Sequence, residues 1–449
     1  MNKTLIIIKI LTIYLLTTTI IACGGGGGGG SSDDSFDPTV SSRGTLTYSP
    51  ATCSDSDQLQ FIYNVMHDVY LWAETSPTVS ISGYTSQSTL INDLRSSQDS
   101  WSYVISQTDY NNYYAGSNIG LGVKMSSDSN TNEIFITHVY PGSPADTAGI
   151  RRGYSLTSVN GYSASSIIAN DEWDDAFGPS ESGYVVDIDY IDNSNATGSA
   201  SITKASYYAD SVAAHTVLNN SNNGNKIGYL AYLNFSGNYE DDLEDAFNDF
   251  VSNNVKELVI DLRYNGGGLT NGARYLGSQI AGASNAFSNM FTFIHNTKYS
   301  SWNTNNLFPL PSYNLSIEKV VFLTTSSTAS SSEILISGLD PYVDTYIVGS
   351  ATHGKPVGMY SFSYCDNYIV PITFKNVNSE GHTDYFDGIS ANCLISDDVT
   401  KQLGDSTEAM LASAINYLEN GTCNDGRGIF TTDLKAPERR GINKIFDVR

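Results

Sequence analysis

A chain of 449 residues is too long for one hydrophobic core and points to about two to four domains. Its 23 basic and 47 acidic residues leave a net charge of -24, which repels nucleic acid and anionic lipid and removes both as partners. The apolar share of 40% is enough for a packed globular body.

The first residues read as an address. Lys3 and Lys9 form a positive start, and an apolar run from Ile10 to Ala22 follows, too short to span a bilayer comfortably. Ala22 before Cys23 resembles a bacterial lipoprotein cleavage site, which makes residues 1–22 a signal peptide and Cys23 the acylated first residue of an exported, membrane-anchored envelope protein. Residues 23–49, with seven consecutive glycines and then Ser and Asp, form a flexible tether. The remaining cysteines, Cys53, Cys365, Cys393 and Cys423, are even in number, as expected in an oxidising compartment. Three pairings are open. Cys365 with Cys393 is favoured because both flank one apparent hairpin, and Cys53 with Cys423 would then tie the chain ends together. No spacing has the form of a zinc site, and no metal or other cofactor is implied.

Apolar residues at Leu59, Ile62, Val65, Met66 and Val69 predict a helix within residues 57–74, and a second helix is expected around Leu90 to Leu94. Residues 50–116 therefore read as a small helical lead-in domain. Residues 117–207 change character. Strand-like runs are expected at 120–125, 133–140, 155–159 and 184–191, with a Pro-Gly turn and a short helix ending at Gly149 between them. The series Ile119-Gly120-Leu121-Gly122-Val123, Tyr140-Pro141-Gly142-Ser143-Pro144-Ala145, Ala148-Gly149-Ile150 and Gly153-Tyr154-Ser155-Leu156 looks like a PDZ domain. The resemblance implies that Gly120, Leu121 and Gly122 hold a peptide's C-terminal carboxylate by backbone N–H groups while the peptide adds as a strand.

Residues 208–423 alternate strand and helix, which predicts an α/β core with a parallel-rich sheet. Strands are expected at 227–233, 257–261, 319–324 and 345–349, and helices at 241–251 and 331–339. Asp405 and Glu408 read as a capping box for a last helix ending before Gly421. Residues 424–449 form a mildly basic tail. Ligands of parallel sheets sit beyond the carboxyl ends of the strands. Three such ends release Gly266-Gly267-Gly268, the serine cluster from Ser326 to Ser332, and Lys355. A hydroxyl at a helix start, an amine and bare backbone N–H groups together suit acyl transfer. The triple glycine lacks the Lys-Ser/Thr of a phosphate loop, so nucleotide binding is not expected.

Four segments in order resemble the C-terminal processing, or tail-specific, serine proteases: the PDZ series, Ile227-Gly228-Tyr229-Leu230 with Phe235, Asp261-Leu262-Arg263-Tyr264-Asn265-Gly266-Gly267-Gly268, and Thr328-Ala329-Ser330-Ser331-Ser332-Glu333-Ile334 with Thr352-His353-Gly354-Lys355. The resemblance implies a ClpP/crotonase-like protease core. It implies Ser330 as nucleophile and Lys355 as its base, with the N–H groups of Ser331 and of Gly266 or Gly267 as the oxyanion hole. The expected partners are peptide or protein substrates with free C-termini. Two positions depart from the family's usual pattern. Met359 stands where a glutamine orients the lysine, and His353 stands where an aromatic precedes Gly-Lys. His353 admits a Ser–His alternative. A catalytically inactive PDZ-containing binding lipoprotein, or an envelope scaffold, is the competing class of function.

Overall fold

Helical spacing of apolar residues builds the start of the chain in this computed structural model, which describes residue 46 and residues 48–423 except 115, 116, 129, 236 and 314. The proposed signal peptide, Cys23, most of the tether and the tail from 424 lie outside the described residues. Helix α1 (Asp55–Met66) starts where the Ser54 hydroxyl accepts from the Asp57 N–H, and it ends at Met66, short of the expected 74. It buries Leu59, Ile62, Val65 and Met66 against α2 (Gln87–Leu94). Strand β1 (Tyr103–Ser106) and helix α3 (Gln107–Tyr114) follow.

The small β-rich unit comes next. It holds β2 (Ser117–Gly120), β3 (Val123–Asp128), β4 (Glu133–Val139), α4 (Pro144–Thr147), β5 (Ser155–Val159), β6 (Tyr162–Ser163), α5 (Ala164–Asn170), α6 (Trp173–Phe177), β7 (Val185–Ile191), β8 (Thr197–Thr203) and β9 (Ala205–Tyr208). The strand expected at 120–125 is broken at Leu121 and Gly122. Gly122 has φ +78° and sits so close to Ser143 that a side chain there would collide with it. β3 to β8 form one sheet in the order β3-β4-β5-β7-β8 with β6 beside β5, and β2 pairs with β9. Ile134, Ile136, Leu156, Val186 and Ile188 alternate onto its inner face and enclose Trp173 and Phe177.

The main body is built on a six-stranded sheet. It is assembled from β10 (Val212–Asn219), β11 (Lys226–Tyr232), β12 (Glu257–Asp261), β15 (Lys319–Thr324), β16 (Asp344–Gly349) and β21 (Cys393–Leu394), in that order. Only the β10–β11 pairing is antiparallel. Alternate residues of the strands face opposite layers. Leu230, Tyr232, Leu258, Ile260 and Phe322 pack under α7 (Tyr239–Ser252), α8 (Thr270–Ala281) and α9 (Ser331–Leu339). Tyr229, Ala231, Val259, Val321 and Leu323 pack under α10 (Ala409–Asn420). A second, antiparallel sheet of β14 (Thr304–Leu307), β13 (Asn289–His295), β20 (Ile372–Asn378) and β17 (Val357–Met359) adjoins this body.

One expectation is filled out and one is corrected. The small helical lead-in is joined to the main body. Its β1 pairs with β19 (Asn367–Val370) of the hairpin formed with β18 (Phe362–Tyr364), and its helices share a core with Val357, Ile369 and Ile372. The disulfides join Cys53 to Cys365 and Cys393 to Cys423, not Cys365 to Cys393 and Cys53 to Cys423. Cys365 lies alone in the β18–β19 turn, facing the start of α1, whereas Cys393 lies in another sheet beside the end of α10. Non-reducing peptide mapping should recover Cys53–Cys365 and Cys393–Cys423; a Cys365–Cys393 peptide would contradict this architecture. Replacing Cys53 and Cys365 by serine should lower the unfolding free energy by about 2–5 kcal/mol in denaturant titration.

Candidate active site

Three loops leave the carboxyl edge of the parallel sheet side by side, because β12, β15 and β16 are adjacent and in register: Asp261 opposite Leu323, and Thr324 opposite Gly349. They are the glycine loop (261–268), the serine loop (325–330) and the lysine loop (350–355). Hydrogen bonds lace them together. Thr328 donates its hydroxyl to the Leu262 carbonyl at 2.8 Å, the Ala329 N–H donates to the Asn265 carbonyl at 3.1 Å, and the His353 N–H donates to the Thr328 carbonyl at 2.8 Å.

Ser330 ends the serine loop as the N-cap of α9, with φ 58° and ψ -116°, a backbone conformation that L residues avoid. Such strain costs on the order of 1–3 kcal/mol and persists only where the surroundings over-determine it. Two neighbouring serines have other duties. The Ser331 hydroxyl donates to the Gly268 carbonyl at 2.7 Å and the Ser332 hydroxyl to the Asn265 carbonyl at 3.0 Å, so both hold the glycine loop. This separates Ser330 from them on geometry rather than on motif.

The buried carboxylate of Glu333 joins the serine and lysine loops. Its Oε2 accepts the N–H of Ser330 at 2.8 Å and the N–H of Lys355 at 2.9 Å. Its Oε1 accepts the Thr352 hydroxyl at 2.6 Å and the Gly354 N–H at 2.7 Å. Burial raises the Glu333 carboxyl above its usual range, opposed by those four donors. The sequence marks Glu333 only by its spacing from Ser330; its second role, on the lysine loop, needed a contact across about twenty residues.

Lys355 is buried, and His353 two residues earlier is exposed. Gly354, with φ +90°, turns the backbone between them, so the two side chains meet different surroundings. Burial pulls the Lys355 ammonium down to about 8, against the smaller opposing fields of Asp99 and Glu333. Among the described residues no carboxylate forms an ion pair with Lys355. Its Nζ lies over the ring of Trp101, 5.8 Å from the centroid, and the His353 ring meets the same indole at 6.1 Å. Nothing in the sequence around Trp101 signals this placement. Met359 ends β17 and packs toward the aromatic cluster of Tyr103, Tyr110 and Tyr368.

The glycine loop faces Ser330. A Cβ on Gly267 would lie 2.8 Å from the Ser330 Cβ and 3.0 Å from the Ser331 nitrogen, which is why glycine is required there. The Gly267 N–H donates to Asn265 Oδ1 at 2.9 Å, so it is engaged. Among the described residues the N–H groups of exposed Gly266 and of Ser331 donate to no protein acceptor. The loop is fixed from behind by Arg263. Its guanidinium bonds Asp261 at 2.9 Å, Asp397 at 2.7 Å and both oxygens of Glu408 at 2.8 and 2.9 Å, all buried. The expected capping box is corrected here. Glu408 is itself the N-cap of α10, accepting the Leu411 N–H at 2.9 Å, and Asp405 turns instead onto Thr407. Burial works to raise the Glu408 carboxyl, but Arg263 beside it holds it below the usual range.

In the β-rich unit the carbonyls of Leu121 and Gly122 accept from Ala145 and Tyr140 at 2.9 and 3.0 Å. Gly120 pairs with Ala205 at the end of β2. Among the described residues the N–H groups of Leu121 and Gly122 have no protein acceptor. Arg152 of this unit reaches the main body, donating to the Tyr264 hydroxyl at 2.6 Å and the Lys401 carbonyl at 2.8 Å.

Three family models match in chain order: the peptidase S41 N-terminal domain over residues 57–103, a PDZ domain over 113–185 and peptidase family S41 over 226–395. A protein named as a CtpA-like serine protease in Staphylococcus aureus (strain COL) is 21% identical over 348 residues, 76% of this chain and 65% of that one, so the match spans just under two thirds of that relative. The carboxyl-terminal-processing peptidase 3, chloroplastic, of Arabidopsis thaliana is 25% identical over 272 residues, 57% of this chain and 50% of that one. Among solved structures, an S41 protease structure from Bacteroides fragilis NCTC 9343 superposes with a TM-score of 0.64 at 24% identity, covering 81% of this chain and 97% of its own. The photosystem II D1 C-terminal processing protease gives 0.51 at 17%, covering 77% and 94%. These likenesses establish a common fold.

Replacing the Glu333 carboxylate by an amide puts a donor where only acceptors fit. Glu333→Gln should lower kcat/KM by at least about a hundredfold and stability by about 1–3 kcal/mol. Peptide cleavage within twofold of the unaltered protein would show that Glu333 does not hold the two loops in register.

Proposed function

The chain belongs to peptidase family S41, and on that premise we propose that it is a serine endopeptidase of the cell envelope, cleaving proteins or peptides recognised through exposed C-terminal tails. The observation that carries this reading is the Glu333 carboxylate, which accepts from the backbone of both the strained serine and the buried lysine.

Ser330 Oγ attacks the scissile carbonyl carbon and passes its proton to Lys355 Nζ. The carbonyl π pair moves onto oxygen, where the N–H groups of Gly266 and Ser331 receive it, aided by the positive end of α9. The C–N bond then breaks as the Lys355 ammonium returns the proton to the leaving amine, leaving an ester on Ser330. Water, deprotonated by Lys355, cleaves that ester and restores the serine. A lysine serves as base only when neutral, and burial brings the pH at which that condition is met down to about 8. The free N–H groups of Leu121 and Gly122 suit a substrate's terminal carboxylate, and the exposed chain end would extend along β3. With residues 1–22 removed, acylated Cys23 would tether the enzyme to a membrane through its long glycine linker.

A fluorophosphonate probe should label Ser330, and Ser330→Ala and Lys355→Ala should each lose at least about a hundredfold in cleavage of an unstructured peptide with a free C-terminus. Because the base must be deprotonated, kcat/KM should rise with pH through a limb near 8. Unlabelled Ser330 together with full cleavage by Ser330→Ala refutes the reading. For the anchor, Cys23→Ala should move the protein from the detergent phase to the aqueous phase when cells expressing the full chain are fractionated; unchanged partitioning removes the lipoprotein assignment.

A further inference from the structure

The lead-in region brings the Trp101 ring to the buried amine, and it does so through a rigid mount. Asp99 is buried and accepts the N–H groups of Trp101 and Ser102 at 2.8 and 2.9 Å and the Tyr70 hydroxyl at 2.9 Å. The Ser102 hydroxyl donates to the same carboxylate at 2.5 Å and accepts from the Ile372 N–H, at the start of β20, at 2.9 Å. The backbone carrying Trp101 is therefore fastened both to the helices before it and to the catalytic body. Its indole lies over Lys355 Nζ, 5.8 Å from the ring centroid and within reach of a cation–π interaction.

We propose that Trp101 is the positioning residue of Lys355: its ring seats the amine and stabilises the ammonium that forms as Ser330 attacks, so that the lead-in completes the active site. The proposal rests on the reading of Lys355 as the general base. The proton comes from Ser330 Oγ as the Oγ–C bond forms, and the positive charge appears on Nζ at that moment only. A carboxylate in contact with Nζ would hold it charged before reaction. An aromatic face favours the cation far more weakly, so it helps the transition state without disabling the base. The charged and titratable groups around the amine fit this division. Asp99 and Glu333 act on Lys355 only through space, and each carboxylate is already occupied by four other donors. The ring of exposed His353 meets the same indole, and half-buried Tyr385, within the field of Glu333, is held in its neutral form by desolvation.

The test reads kcat, KM and the acid limb of the pH profile on the full chain. Trp101→Leu keeps the site apolar but removes the π face. It should lower kcat about tenfold with KM within about twofold, and should move the acid limb to lower pH, because the ammonium loses its stabiliser while the site stays dry. A structural role would instead admit water and move the limb to higher pH. Site-specific replacement of Trp101 by mono-, di- and trifluorotryptophan preserves shape and drains the ring's negative face, and therefore remains informative if Trp101→Leu does not fold; kcat should fall stepwise with each fluorine. A flat fluorination series, or an acid limb that rises, overturns the proposal. Lys355→Ala is measured alongside. If it is inactive while the fluorinated series is flat, only the role of Trp101 falls. If it cleaves and is labelled normally, the serine–lysine reading falls and this inference with it.

Discussion

One buried carboxylate sets the geometry on which the rest of the site depends. Glu333 lies on the first turn of α9, where a negative charge is favoured by the helix dipole, and it accepts from the residue that starts that helix. The same two oxygens take a hydroxyl and two N–H groups from the lysine loop, which comes from a different strand. An isolated buried carboxylate would be expensive, yet four donors satisfy it without any cation in contact. That choice of partners matters chemically. Had the carboxylate been paired with the Lys355 ammonium itself, the lysine would have been held charged; bound to its backbone N–H instead, the carboxylate places the residue and leaves the amine to be tuned by burial.

The glycine loop is held by the opposite device, a cation among anions. Arg263 is fully buried with Asp261, Asp397 and Glu408, and Arg152 shares Asp397 from the β-rich unit. Burying such a cluster contributes little net stability, but removing one member leaves uncompensated charge, so its geometry is strongly enforced. Tyr264, next to Arg263, carries the Arg152 contact through its hydroxyl and receives Lys124 Nζ of β3 on its carbonyl at 3.2 Å. Two residues later comes Gly266, whose N–H is open. The strand along which a peptide would lie and the loop that would receive the oxyanion are thus separated by one tyrosine.

The parts of the fold that were legible in the sequence are those decided by local pattern. β12, β15 and α9 fall on the expected residues because continuous apolar runs of strand length, flanked by glycine or serine turns, have one way to be buried. Ser330 and Lys355 were named through the family resemblance, as the serine three places before Glu333 and a lysine 25 residues further on, and both backbones meet the Glu333 carboxylate. What stayed hidden is long-range. Cys53 meets Cys365 across 312 residues of sequence because β1 of the lead-in pairs with β19, and no periodicity in either segment encodes that pairing. Gly267 was offered beside Gly266 as the second donor, but its N–H donates to the Asn265 side chain, and its lack of a side chain is what matters against Ser330. Glu408 was read as a partner of Asp405, the carboxylate nearest in sequence before the helix, whereas its true partner, Arg263, lies 145 residues earlier.

The merging of the lead-in with the catalytic body has an energetic reason. A lysine brought from its usual 10.5 down to about 8 is one the folded chain prefers neutral. Below pH 8 the folded protein must carry a buried ammonium that the unfolded chain solvates freely, which costs on the order of 3 kcal/mol; the cost fades as pH rises toward 10.5, where both states are neutral. Such a sum is a large fraction of a domain's net stability. The wall that keeps water from Lys355 therefore has to be anchored well enough to withstand that pull. Asp99, Ser102 and the Ile372 N–H fasten it locally, β1 pairs it into a sheet with β19, and the Cys53–Cys365 bridge closes it at its far end. A freely hinged lead-in could open to hydrate the amine, returning it toward 10.5; a lead-in built into the body cannot do so without breaking strand pairing, core packing and a covalent bond together.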